Sequence, residues 1–246
     1  LCREILVPHR ANMNILLLET ATEVCSVGLL KDGTPAGEIV AADVFQHARH
    51  LTIFIQSCLR EANLSFSELD YVALSHGPGS YTSLRVGAAT AKGLCLAIPG
   101  LKLLAIDTLA SLAHAASIEA LPEQPTSAVT YLPTIKSRRG EVYARAFNSH
   151  IQPIDVLRAK ELSPSSFSEL RMQNKVVICG SGTERVKEFI GEADDLIYRP
   201  EIICRATNLA SEALQLVVTK RTEDCASYEP LYLKPPFVTK STKKLL

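Results

Sequence analysis

The sequence predicts an α/β protein built as two lobes of similar architecture. Three observations predict it. Short apolar strands alternate with amphipathic helices along the whole chain, three strands followed by alternating helix and strand run to about residue 120, and after the proline-flanked stretch P-E-Q-P the pattern starts over. At 246 residues the chain is long enough for each lobe to bury a core, and a hydrophobic content of 47% marks it as folded rather than disordered.

The first lobe is read from Met13. N-I-L-L-L-E-T and C-S-V-G-L-L-K-D-G form two strands joined by the short turn A-T-E-V, and Asp32-Gly33 turns the chain into a third, G-E-I-V-A-A. In H-A-R-H-L-T-I-F-I-Q-S-C-L-R-E-A, the residues Leu51, Phe54, Ile55, Cys58, Leu59 and Ala62 recur at helical spacing and leave Arg49, Gln56 and Arg60 outside. A strand over 71–75 then runs into H-G-P-G-S-Y-T-S-L-R-V-G-A-A-T-A-K-G-L. Gly77 and Gly79 tolerate angles that a side chain forbids, Pro78 fixes one dihedral, and Ser80 or Thr82 can cap the helix that follows. A strand over 103–106 and a helix N-capped by Asp107 complete a βββαβαβα order.

In the second lobe, 127–135 and 141–147 read as strands around the turn S-R-R-G. S-P-S-S-F-S-E-L-R reads as a capped helix, K-V-V-I-C-G as a buried strand, S-G-T-E-R-V-K-E-F-I as a helix, and about 207–220 as a final helix before Y-E-P-L-Y-L-K-P-P. Two βββαβαβα-like halves, the second less regular, point to the duplicated actin-like, hexokinase-like ATPase (ASKHA) architecture. Sequence repetition between the halves is too weak to show this by itself. The lobes are expected at 13–123 and 124–246, with 1–12 an upstream or appended leader before a natural start at Met13. That leader carries no long apolar core and no small-residue cleavage site, so a signal peptide is not expected.

Charge and cysteine usage narrow the partners. The net charge is zero, yet 13–123 carries −5 and 124–246 carries +4, with Lys240, Lys243 and Lys244 in a short tail. Such a tail can attract phosphate but is more often a solvated end. The apolar run L-C-L-A-I-P-G-L-K-L-L-A-I is broken by Pro99, Gly100 and Lys102, so no membrane span is expected. The seven cysteines are scattered without a C-x-x-C pair and read as reduced thiols of a cytoplasmic protein.

Residues able to do chemistry are sparse. His47 and His50 stand three apart on one helix, but no third ligand lies near them in sequence, so no metal is expected. No G-x-S-x-G or H-E-x-x-H motif is present, and Ser80 and Thr82 are better used as caps than as nucleophiles. A glycine turn opening a helix can hold phosphate, but this one lacks the lysine of a Walker loop. In the actin-like architecture the first hairpin cradles phosphate. Here it reads Glu19-Thr20-Ala21-Thr22-Glu23, whose second acid opposes a triphosphate, so Thr20 and Thr22, with Ser181 and Gly182 of the C-G-S-G-T run, are expected to make weak nucleotide contact at most. The helix after the glycine turn is instead read as a packing surface. Gly87 and Ala91 lie four apart, as do Ala89 and Gly93, and allow close helix approach. Ile53 falls outside the apolar stripe of its own helix. The expected partner interface is therefore Leu51, Ile53, Arg60, Tyr81, Leu84, Gly87, Ala88, Ala91 and Leu94, and Gly87→Leu is expected to weaken association while the monomer stays folded.

L-L-L-E-T-A-T-E-V-C-S-V-G-L, G-P-G-S-Y-T-S-L-R-V-G-A-A-T-A-K-G-L, S-R-R-G-E-V-Y-A-R-A-F and P-L-Y-L-K-P-P together resemble the bacterial TsaB (YeaZ) family, from Met13 to about Phe237. The resemblance implies a part in making N6-threonylcarbamoyladenosine on tRNAs that read codons beginning with adenosine. It implies a noncatalytic scaffold for the paralogue TsaD, without a cofactor, working with TsaE and with TsaC, homodimeric when alone and meeting tRNA through the complex. TsaD-like proteins carry metal-binding histidines in H-H-x-x-x-H, where this chain has Thr108 and Leu112. The resemblance also expects D-A-R where Lys136-Ser137-Arg138 stands, so the acid is lost. The competing expectation is an enzyme, a glycoprotease-like peptidase or a weak ATPase of the same superfamily.

Overall fold

The computed structural model describes residues 13–41, 47–119, 129–172 and 174–235. The leader read over 1–12 and the basic tail at Lys240, Lys243 and Lys244 lie outside the described residues. The first half runs β1 (Ile15–Glu19), β2 (Ser26–Lys31), β3 (Thr34–Val40), α1 (His47–Glu61), β4 (Tyr71–Gly77), α2 (Tyr81–Ala97), β5 (Lys102–Asp107) and α3 (Thr108–Glu119). The second runs β6 (Val129–Lys136), β7 (Glu141–Ala144), β8 (Arg158–Glu161), α4 (Ser168–Arg171), β9 (Lys175–Cys179), α5 (Thr183–Ile190), β10 (Leu196–Arg199) and α6 (Ala210–Val218). Both halves are thus βββαβαβα. The duplication that the residues hide is plain in the sheets, whose strand orders are β3-β2-β1-β4-β5 and β8-β7-β6-β9-β10.

Local chemistry accounts for the boundaries. Ser80 takes an extended conformation and its hydroxyl accepts from Ser83 N–H at 3.4 Å, capping α2. Asp107 caps α3 by accepting from Leu109 and Ala110 N–H at 2.8 and 3.1 Å. The Gly77-Pro78 peptide is cis. Two strands not assigned from sequence, β8 and β10, are four-residue edge strands, and α4 is one turn rather than the full S-P-S-S-F-S-E-L-R run.

Packing crosses the midpoint of the chain. On the outer face of the first sheet, Leu16, Leu18, Val72 and Leu74 meet Leu51, Ile55 and Leu59 of α1 and Ala88 and Ala91 of α2. The inner face of the same sheet, with Ile15, Leu17, Ala73, Leu104 and Ile106, is covered by Ala206, Leu209 and Ala213, which belong to α6 and the turn before it. Conversely, Leu109, Leu112, Ala113 and Ala116 of α3 pack on Tyr131, Ile135, Val177 and Cys179 of the second sheet. The outer face of that sheet is closed by Leu162, Phe167 and Val186. Each half therefore sends its last helix onto the sheet of the other. No helix among the described residues is long and apolar enough to cross a membrane.

Candidate functional site: the β1–β2 turn and the α1–α2 face

Two regions gather the residues singled out from sequence, and the β1–β2 turn connects them. The turn is pressed under the start of α2. Ser80 N–H donates to Ala21 O at 2.7 Å, and a Cβ on Gly79 would lie 2.3 Å from that oxygen. A Cβ on Gly87 would lie 2.4 Å from Thr20 Oγ1. Only glycine fits at either point. Thr20 and Thr22 are both buried, Thr20 against Gly87 of α2, so neither hydroxyl is open to a phosphate.

The other half of the expected nucleotide contact is equally committed to packing. Gly180 has φ +90°, and a Cβ there would lie 2.3 Å from Thr134 O. Gly182 N–H donates to Thr134 O at 3.0 Å and is buried, while half-buried Ser181 accepts from Lys136 N–H at 3.2 Å through its hydroxyl. The C-G-S-G-T run serves close approach of α5 to β6. Lys136 also reaches across the lobes to Glu23, with Nζ 3.8 Å from the carboxylate.

Glu19, at the end of β1, is fully buried. Its Oε1 accepts from Ala21 N–H at 2.6 Å, and its Oε2 has no partner among the described residues. Burial pushes its pKa up to about 7, the bond from Ala21 and the neighbouring Ser75 hydroxyl and Thr20 N–H pull the other way, and Glu38 adds a small further rise. Thr108 Oγ1 accepts from Gly77 N–H at 3.1 Å, and Leu112 is buried with Cδ1 3.1 Å from where a Gly180 Cβ would stand. Neither side chain can ligate a metal as an imidazole does, and both are engaged in holding the fold. His50 stacks on Phe54 with ring centroids 5.4 Å apart.

The expected partner interface divides in two. Leu51, Leu84, Gly87, Ala88 and Ala91 are buried inside the first lobe, Gly87 against the β1–β2 turn and Ala91 in the core between α1 and the first sheet, so this stripe does not meet an incoming helix. With Thr20 in the way, Gly87→Leu would disturb the monomer itself, which corrects the expectation of an intact fold. Ile53 is 53% exposed, Arg60 is exposed, and Tyr81 and Leu94 are half-buried. The outward stripe of α2 is Ala89, Gly93 and Leu96, the last 85% exposed. A largely apolar groove of about 260 Å³ runs between α1 and α2, lined by Thr52, Ile55, Gln56, Phe66, Thr90 and Gly93. Leu96 and Phe66 were missed from sequence, and Ala89 and Gly93, read there as a second narrow face, were left out of the expected interface. The available signal was the i, i+4, i+7 spacing of Ala89, Gly93 and Leu96.

The family described as "TsaD: tRNA N6-adenosine threonylcarbamoyltransferase" matches residues 44–234. The chain belongs to this family. Within the TsaD family its likeness to TsaB proteins runs nearly end to end. The "tRNA threonylcarbamoyladenosine biosynthesis protein TsaB" of Escherichia coli is 26% identical over 230 residues, 90% of this chain and 95% of that protein. Its Haemophilus influenzae namesake is also 26% identical, over 234 residues, covering 91% and 94%. Among solved structures, a Pseudomonas aeruginosa protein described as similar to peptidase YEAZ superposes with a TM-score of 0.77 at 23% identity, covering 90% of this chain and all of that one. The two-lobed fold expected from the residues is that fold.

Proposed function

We propose that this chain is the noncatalytic scaffold subunit of a tRNA threonylcarbamoyladenosine-forming complex, binding and supporting a catalytic paralogue of the TsaD type. The observation that carries the reading is the pair Thr108 and Leu112. At the positions where the TsaD-like resemblance puts metal-binding histidines, one side chain holds the end of β4 and the other fills the core. A TsaB-type role is further supported by relatives of that name matched along nearly their full length. In this reading the exposed part of the α1–α2 face, Ile53, Leu96 and the groove between the helices, docks the first lobe of TsaD, and a second copy takes the same surface when TsaD is absent. TsaE and tRNA join through the complex, in the cytoplasm.

Reconstitution tests the reading. TsaD with its partner enzymes should modify tRNA only when this chain is added, and Ile53→Asp with Leu96→Asp should abolish co-sedimentation with TsaD and self-association alike while circular dichroism stays unchanged. Peptide cleavage, ATP turnover or tRNA modification by the isolated chain would overturn the scaffold role.

A further inference from the structure

At the opposite end of α2 from the apolar groove, three separate parts of the chain converge on a pocket of about 220 Å³. They are the start of α2 at 79–81, the β6–β7 hairpin at 136–138 with Tyr143, and the closing segment 232–235. About nine residues of helix, roughly 14 Å at 1.5 Å each, separate Tyr81 from the groove at Thr90, so the two surfaces can be filled at once.

The lining combines aromatic faces with cations. Tyr81 and Tyr232 pack with ring centroids 4.6 Å apart and planes tilted by 45°. The Arg85 guanidinium lies 5.5 Å from the centroid of the Tyr81 ring and donates to its hydroxyl at 3.4 Å, which holds the ring in place. Lys234 is neutralised by Glu141. Lys136 has only the 3.8 Å contact with Glu23, and the exposed Arg138 guanidinium has no ion pair or hydrogen bond among the described residues. The pocket thus offers uncommitted positive charge beside tyrosine rings.

That pairing is what an unpaired nucleotide requires, a cation for the phosphate and an aromatic face for the base. A duplex presents its bases edge-on and cannot offer one to a pocket of this size. We propose that this pocket binds a single-stranded segment of RNA directly, with Lys136 and Arg138 on phosphate and Tyr232 or Tyr143 stacked on a base. The choice of RNA over DNA rests on the tRNA reading above, and the binding itself does not.

Fluorescence anisotropy on the full chain, without TsaD, provides the test. The labelled probe is an RNA hairpin with a single-stranded loop, the comparison is a fully paired RNA of equal length, and AMP is the competitor. The hairpin should bind at least about tenfold more tightly than the duplex, and Tyr232→Ala should weaken it by about tenfold. Lys136→Ala and Arg138→Ala, both at exposed positions, should each lower the slope of log affinity against log salt by roughly 0.7. Co-sedimentation with TsaD should be unchanged in both charge variants, so failure of the RNA site and failure of the scaffold reading are separately visible. Equal affinity for hairpin and duplex, charge variants that bind like the parent, or full displacement by equimolar AMP would each overturn the proposal.

Discussion

Replacing Glu19 by Gln isolates one buried charge and makes its effect measurable through pH alone. The carboxyl is fully buried, and burial raises its pKa from 4.5 to about 7. Native protein therefore holds a proton over a range in which the unfolded chain has released it. With more protons bound in the native state, stability falls as pH rises from about 4.5 to about 7 and is level above that. A displacement of that size corresponds to about 3 kcal/mol in full, of which about 2–3 kcal/mol is lost between about pH 5 and about pH 8. The amide of Gln can keep the bond accepted from Ala21 N–H and does not titrate. Any penalty for burying its N–H₂ where Oε2 has no partner is the same at both pH values and cancels. Urea denaturation of parent and Glu19→Gln at the two pH values should show the variant gaining about 2–3 kcal/mol on the parent at the higher one. Glu212, raised to about 8 by burial and by Asp107, titrates in both proteins and drops out of the comparison. Glu38 faces Glu19, and Cys25 and Cys204, which both feel its charge, have pKa values displaced further upward. With no tryptophan in the chain, tyrosine fluorescence and far-ultraviolet dichroism must give coincident transitions for the free energies to be valid. A gap between the proteins that does not change with pH would refute the argument.

Two further outcomes follow from the packing. Gly87→Ala should destabilise the protein by about 1–3 kcal/mol, because its Cβ meets Thr20 Oγ1, whereas Gly93→Ala, with open space around it, should stabilise by about 0.5–1 kcal/mol; thermal unfolding of the pair checks both signs. Cys179 and Cys204 are fully buried, which holds their thiols protonated, so alkylation at pH 8 followed by peptide mass mapping should find both unmodified until the protein is unfolded.

Much of the fold was legible because its strands and helices carry strong periodicities. Leu16 and Leu18 face one layer of helices and Ile15 and Leu17 another, so β1 reads as an unbroken apolar run, as a strand buried on both sides must. β8 and β10 escaped because R-A-K-E and L-I-Y-R are short, largely half-exposed edges with no alternation to detect. The faces of α2 were ambiguous for a different reason. Gly87/Ala91 and Ala89/Gly93 are equally small, and what turns the first pair inward is Thr20 against Gly87 and the α1–sheet core around Ala91, both made of residues distant in the chain. The candidate site was legible as a list of residues but not as a surface, since half of the expected interface proved to be core. The basic, tyrosine-lined pocket was not legible at all, because its three parts meet only in the folded chain.

The crossing of α3 and α6 bears on the order in which the protein can fold during synthesis. The inner face of the first sheet, with Leu17, Ala73 and Leu104, is complete once β5 has emerged, yet the residues that cover it, Ala206, Leu209 and Ala213, are made about a hundred residues later. At a synthesis rate of roughly 5–20 residues per second, that apolar face waits between about 5 and about 20 seconds for its own chain. For part of that interval α3 is also incompletely covered, because β6, with Tyr131 and Ile135, follows it closely, whereas β9, with Val177 and Cys179, follows it by more than fifty residues. A nascent first half is thus a sheet with one side open, a natural client for a chaperone, and a ribosome stalled near the middle of the message releases not a lobe but half of a shared core.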